Sequence, residues 1–360
     1  MHTLVAAFVM AASVAISSVG VASGDSADQD PVRRVNPDYP DRLVKRRIEG
    51  WAAVTFTRTT NGAVANPFVS DSSGEPAIDR SVLAAVSRWG YAPLAEGARC
   101  GVTVRLSLML GARTRPSFVK AHARIQGALA RGEIENAARE IELLEPRGIS
   151  EIAHRHGLEA DLAAGRKDLE AEAIALSRSA GFNDRMDLGD QIQARRDGFA
   201  SPIGVDAALR VLRRRLSVLV QAKQFGSALS LFRMLKAANA ATPELASAGA
   251  QLEALPGGLQ QIETSGRTRR LAAIEDAPSI WSAPLLRERF RVEPASGELR
   301  RIDVCCQGAM HTAAPNADEI RVPLGAGACR VFVFGDEGAR FTLVEIPNNS
   351  QAAGAPAAAP

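Results

Sequence analysis

Between residues 50 and 110 the spacing of apolar side chains switches from two to about 3.6 and back to two, which few small folds can satisfy. From Trp51 the chain alternates, with Ala52, Val54 and Phe56 against Thr55 and Thr57, which predicts a half-buried strand. Asn61-Gly62 predicts a type I′ turn, because both residues tolerate positive φ. A second strand follows over 64–69, where Pro67 favours an edge or a bulge. Glu75-Pro76 then opens a helix at the position where proline is harmless, and Asp79 suits the positive end of its dipole. Ile78, Val82, Val86 and Trp89 form one buried stripe, with Gly90 read as the C-terminal stop. The last piece, "CGVTVRLSLML", alternates again: Val102, Val104, Leu106, Leu108 and Leu110 share one face, Thr103, Arg105, Ser107 and Met109 the other. It reads as a strand with one wet face. With a short helix over 39–47 in front, the order predicts a helix laid across three strands, and a sharp helix exit lets the last strand return alongside.

A chain of 360 residues exceeds a single usual core, so more domains are expected. Residues 116–255 carry helical periods: Ile125, Leu129, Ala137, Ile141 and Leu144 in the first, interrupted at Gly132 and ended by Pro146. The runs "ARGEIENAAREIELLEP" and "QAKQFGSALSLFRMLKAA" resemble tetratricopeptide-type helical hairpins, with Ala137 and Ala228 in the close-packed position. The shift between those alanines is not a multiple of the 34-residue period, so an irregular array is expected. Residues 266–348 return to short strands such as "LRRIDVCCQG", "CRVFVFG" and "ARFTLVEI", predicting a small antiparallel β domain. The tail, 349–360, is low-complexity and reads as disordered. The expected fold class is therefore α+β multidomain: a three-stranded sheet with helices over 36–111, a helical repeat-like array, then the β domain.

The first 23 residues are apolar and end in small residues, as an export signal does, and 24–35 form a polar linker. If uncleaved, the run is near the length of a membrane anchor. Export makes cysteines candidate disulfide partners. Cys305 and Cys306 are adjacent, so on a strand they point to opposite faces and one of them is placed to bridge to Cys329. Such a bridge closes a loop of roughly 24 residues, with an entropic effect on the order of 3 kcal/mol. The alternative is four small buried thiols, the reading that the distant Cys100 invites.

The block from Asn36 to Leu110 resembles the C-terminal domain of the TonB family of energy transducers. "NPDYPDRLVKRRIEGWAAVTF" is similar to the family's opening, "TNGAV" to its hairpin turn, and "IDRSVLAAVSRWGYAP" to its helix and Arg-Trp-x-aromatic-x-Pro exit. The resemblance implies a periplasmic domain that captures an extended segment of an outer-membrane transporter by adding it as a strand. That mode uses the unpaired main chain of a sheet edge for affinity and side chains for selectivity. The family's last strand matches Val102, Thr103, Val104, Arg105, Leu106 and Ser107, which makes them the candidate edge, with Thr103, Arg105 and Ser107 flanking the ligand. Family transducers also carry a membrane helix containing a histidine and a long proline-rich span. Here the only N-terminal histidine is His2 and the linker is short. The expected function is thus an exported periplasmic interaction module that binds an envelope protein or extended peptide. The alternative is a divergent, membrane-anchored energy transducer.

Other functions find little support in the residues. With 43 basic against 40 acidic residues and no aromatics among the arginines of "RVLRRRLSVLV", nucleic acid is not expected. Arg42, Lys45, Arg46 and Arg47 read as a solvated face diluted by Asp38, Asp41 and Glu49. His154 and His156 are two apart and so diverge on a helix, giving no metal geometry. No catalytic residue, metal or cofactor is expected; an enzyme built around Cys305, Cys306 and His311 would need free vicinal thiols.

Overall fold

A computed structural model describes residues 31–94, 97–181, 203–237, 242–306, 309–323 and 329–347. The apolar segment 1–23, the linker up to residue 30 and the tail 349–360 lie outside the described residues.

The period changes of residues 50–110 become α1 (Asp41–Arg46), β1 (Gly50–Arg58), β2 (Val64–Ser72), α2 (Pro76–Val86) and β3 (Arg99–Leu108). The strands form an antiparallel sheet in the order β2-β1-β3. Ala52, Val54, Phe56, Leu106 and Leu108 face Ile78, Val82 and Val86 of α2, with Trp89 closing the core. Pro67 lies on the edge strand β2 beside a register shift, and Asn66 there takes φ 49°. The connection between β1 and β2 differs from a type I′ turn: Gly62 has φ 83° but Asn61 is not left-handed. The link runs over five residues, and the Asn61 side chain accepts from the Ala63 amide at 3.2 Å, so one positive-φ residue suffices. A side chain at position 62 would collide with the Tyr91 carbonyl. Gly90 is likewise not the helix stop. Helix α2 ends at Val86, and Gly90 instead exchanges two 2.9 Å main-chain bonds with Arg33. That pair, and the Trp89 indole donating to the Val35 carbonyl at 2.8 Å, pin the entering chain against the helix exit.

The helical layer holds α3 (Pro116–Ala130), α4 (Ile134–Glu142), α5 (Ile149–Gly165), α6 (Leu169–Ala180), α7 (Val205–Gln221), α8 (Phe225–Ala237) and α9 (Pro243–Ala254). Each packs on the next in chain order, burying one core around Ile125 and Leu158 and another around Leu212, Leu229 and Phe232. Ala137 and Ala228 are fully buried, and Gly132 takes φ 75° where α3 gives way to α4.

The C-terminal strands are β4 (Ile262–Arg267), β5 (Arg269–Arg270), β6 (Ser279–Pro284), β7 (Arg289–Ser296), β8 (Leu299–Cys306), β9 (Ala309–Ala313), β10 (Ile320–Arg321), β11 (Cys329–Gly335) and β12 (Arg340–Ile346). They form two antiparallel sheets, ordered β10-β7-β12-β4 and β5-β6-β11-β8-β9. The sheets bury Phe290, Val292, Phe341 and Leu343 against Trp281, Ile302, Val304 and Val331. Trp281 meets Phe341 edge-to-face at 5.2 Å. Arg287 is 2% exposed and donates to the carbonyls of Leu255, Gly258 and Gln260, tying the end of the helical layer to this sandwich.

The three regions interlock. Ala272, Ile274 and Ala277, from the β5–β6 connection, complete the core of the first sheet. The Ala273 amide donates to Asp79 at 2.7 Å, so the residue that suits the dipole of α2 also anchors this connection. Phe68 of β2 packs edge-on against Phe334 of β11 at 5.9 Å. Just before α8, the Gln224 side chain donates to the Ser265 carbonyl of β4 at 2.7 Å, and the Thr264 hydroxyl of β4 donates back to the Lys223 carbonyl at 3.2 Å.

Candidate strand-addition edge

Strand β3 ends the sheet, so its main chain pairs with β1 on one side and with no other strand among the described residues. Its first residues are covalently fixed. Cys100 is bonded to Cys305 of β8, and Gly101 packs so closely there that a Cβ would lie 3.1 Å from the Cys305 sulfur. The stretch from Val102 onward, where Val102 and Val104 are half-buried, is the part of the edge clear of this tie.

The expected wet face is largely covered, with only Met109 exposed at its far end. Thr103 is 2% exposed and shares a 2.9 Å hydroxyl bond with Thr55, which donates in turn to Ser70 at 2.8 Å, so a row of hydroxyls crosses all three strands. Arg105 lays its guanidinium 3.8 Å from the Trp51 ring and donates to the Gly181 carbonyl, just past the end of α6, at 2.5 Å. Alternation in the sequence shows that two faces differ in polarity, not that the polar one meets solvent. Here later segments cover it: the end of α6 over Arg105, and the outer face of the β6-β11-β8 sheet over Phe68 and Gly101. Thr103 and Arg105 are therefore structural on their side-chain face, and an added strand would meet main chain and the half-buried Val102, Val104 and Ser107.

The far end of the edge is held by Glu49, a 3%-exposed carboxylate. It accepts from the Leu110 and Ala112 amides at 2.7 and 2.8 Å and from the Ile149 amide, at the start of α5, at 2.9 Å. In the sequence it looked like one of the charges diluting a basic face. Glu151 repeats the device, accepting from the Arg115 and Arg147 amides and pairing with the Arg115 guanidinium at 2.7 Å. Those bonds hold its carboxyl below the usual range despite burial. The Tyr39 hydroxyl donates to Ile48 at 2.7 Å, and burial raises its pKa.

All four cysteines are paired, Cys306 with Cys329 and Cys305 with Cys100. Cys306 and Cys329 face each other in register on β8 and β11. Cys100 is thus no isolated buried thiol. Where all four cysteines pair and three of them are clustered, one of the three needs a distant partner, a parity signal present in the sequence. His156 is buried, bonded through Nδ1 to Glu159 at 2.6 Å, while the His154 ring stacks edge-on with His122 at 5.4 Å. Burial lowers the pKa of all three histidines. The two candidate ligands thus face different neighbours.

Residues 35–109 match the family described as Gram-negative bacterial TonB protein C-terminal. A curated relative, Protein TonB of Pseudomonas aeruginosa, is 34% identical over 82 residues, 22% of this chain. The chain spans only about a quarter of that relative's length, 24%. Similar solved structures include the solution NMR structure of the Pseudomonas aeruginosa TonB C-terminal domain, at 28% identity, covering 25% of this chain and 94% of that one, with a TM-score of 0.22. Another, from a molecular characterization of the TonB2 protein of Vibrio anguillarum, is 28% identical and covers 27% of this chain and 95% of that one, with a TM-score of 0.21. Residues 35–109 of this chain thus carry a domain of the kind described as Gram-negative bacterial TonB protein C-terminal.

Proposed function

We propose that the chain is an exported, periplasmic interaction protein that captures an extended peptide or envelope protein by strand addition along residues 102–108. The observation carrying this is the terminal position of β3 in a TonB-type sheet, with one edge paired to β1 and no strand on the other among the described residues. Main-chain bonds along such an edge supply affinity that is largely independent of side chains. The covered polar face and the Cys100–Cys305 tie rule out a partner that wraps around the strand, and favour one lying alongside it. The covalently backed sheet is preorganised, so less ordering entropy opposes capture. An outer-membrane transporter segment is the partner class that the likeness to Protein TonB suggests. The helical layer, in this reading, acts as the rigid support of the edge.

The test is photo-crosslinking in the envelope from positions 104 and 107, followed by hydrogen exchange of the full chain with and without the captured segment. Strand addition protects alternate amides of β3; capture that leaves β3 exchange unchanged, or no capture from either position, refutes the reading. The apolar run at 1–23 supports one rival, a membrane-anchored transducer with the same edge. The mature N-terminus, read by mass spectrometry, separates the two.

A further inference from the structure

Where α6, the β4–β5 segment and the β11–β12 connection converge, the surface holds a cleft of about 300 Å³. Four arginines line it: Arg178, Arg267, Arg269 and Arg270, with Glu159 and Glu337 the carboxylates in the same wall. Most of these charges are already spoken for. Arg178 pairs with Asp71 at 2.7 Å, Arg269 with Glu170 at 3.1 Å and Asp168 at 3.5 Å, and Arg270 with Glu337 at 3.7 Å. Glu159 is held by Arg155 and His156. Arg267 is the exception in direct pairing, its charge acting on Glu170 only at longer range. It makes no side-chain hydrogen bond or ion pair among the described residues, and its Nε is buried without a partner. The Nε of Arg269 is also buried and unpartnered.

A buried guanidinium donor with no acceptor is a standing free-energy cost, since it has lost water and gained nothing. Folds keep such a group where something else completes it. Gly338 lies against the Arg267 guanidinium, leaving its flank unblocked by a side chain. A second cavity of about 120 Å³ shares Arg267, Arg269, Ile174 and Leu271 with the first and adds an apolar wall from Leu219, Ile280 and Trp281. The larger space equals roughly ten water volumes at ~30 Å³ each, enough for a small organic molecule.

We propose that this cleft is a binding site for a small organic anion, a carboxylate or a phosphate monoester, whose charge is met by Arg267 and flanked by Arg270. Guanidinium forks suit both groups, because two parallel N–H donors match two anionic oxygens. The inference is independent of the strand-addition reading.

The test uses the oxidised full chain at fixed ionic strength, with glycerol 3-phosphate and N-acetylalanine as the two probes and calorimetry plus thermal melting as readouts. The expected result is saturable binding of at least one probe, weakened at least tenfold by Arg267→Gln, weakened less by Arg270→Gln, and unchanged by Arg124→Gln on a remote exposed helix face. Which probe saturates identifies the anion. Without a probe, Arg267→Gln should melt at or above the parent, because it removes a buried Nε donor that has no acceptor. No saturation by either probe, equal binding by Arg267→Gln, or a marked loss of stability in that variant would each overturn the proposal.

Discussion

Cys100 and Cys305 are bonded to each other across 205 residues of sequence, joining the candidate edge strand β3 to β8 of the sandwich. The first sheet is thereby locked to the part of the chain that covers its polar face.

The two disulfides differ in the loops they close. In the chain-entropy view a loop of 205 residues is worth on the order of 5 kcal/mol and one of 23 on the order of 3 kcal/mol. Replacing Cys100 and Cys305 by serine should therefore lower stability more than replacing Cys306 and Cys329, as read by urea unfolding of the paired variants. Alkylation of the denatured, unreduced parent should find no free thiol.

Two buried carboxyls set an acid-favouring trend. Burial raises Asp79 to about 6 and Glu345, which accepts from the Leu286 and Arg287 amides, to about 7. In the unfolded chain both titrate near 4. The native state thus holds more protons between those values, and stability falls as pH rises through that window. Each group contributes on the order of 3 kcal/mol that is fully present below about pH 4 and lost by about pH 7. Urea midpoints measured from pH 4.5 to 7.5 should decline, and Glu345→Gln should flatten the decline.

Glu49 satisfies three amides at the junction of β1, the end of β3 and α5. Alanine there strands three donors, each costing about 1–3 kcal/mol. Glu49→Ala should destabilise by on the order of 3 kcal/mol or more in chemical unfolding, with Glu49→Gln recovering part because one oxygen remains.

Trp89 is 2% exposed and donates its indole N–H to Val35. Trp89→Ala should cost about 3–5 kcal/mol. Because Ala272 and Ala277 share its core, calorimetry should show the main transition shifting as a whole, with no early, separate melting of residues 35–109.

Much of the local structure was legible because it depends on neighbours two to four residues apart. Alternation placed β1 and β3, the stripe Ile78, Val82, Val86 placed α2, Pro76 marked its start, and Pro67 its bulged edge strand. The type I′ turn and the Gly90 stop failed because a turn's length and a glycine's use are settled by what packs against them: Tyr91 against Gly62, Arg33 against Gly90. The sequence alone determined which stretches become strand or helix and which of their faces are apolar, since periodicity is a property of adjacent side chains. Only the tertiary structure decided that Thr103 and Arg105 are covered, that Cys100 pairs with Cys305 and not Cys306, that Asp79 meets Ala273 194 residues away, and that four arginines line one cleft. Such pairings depend on how faces meet after long loops close, and no short-range pattern encodes them.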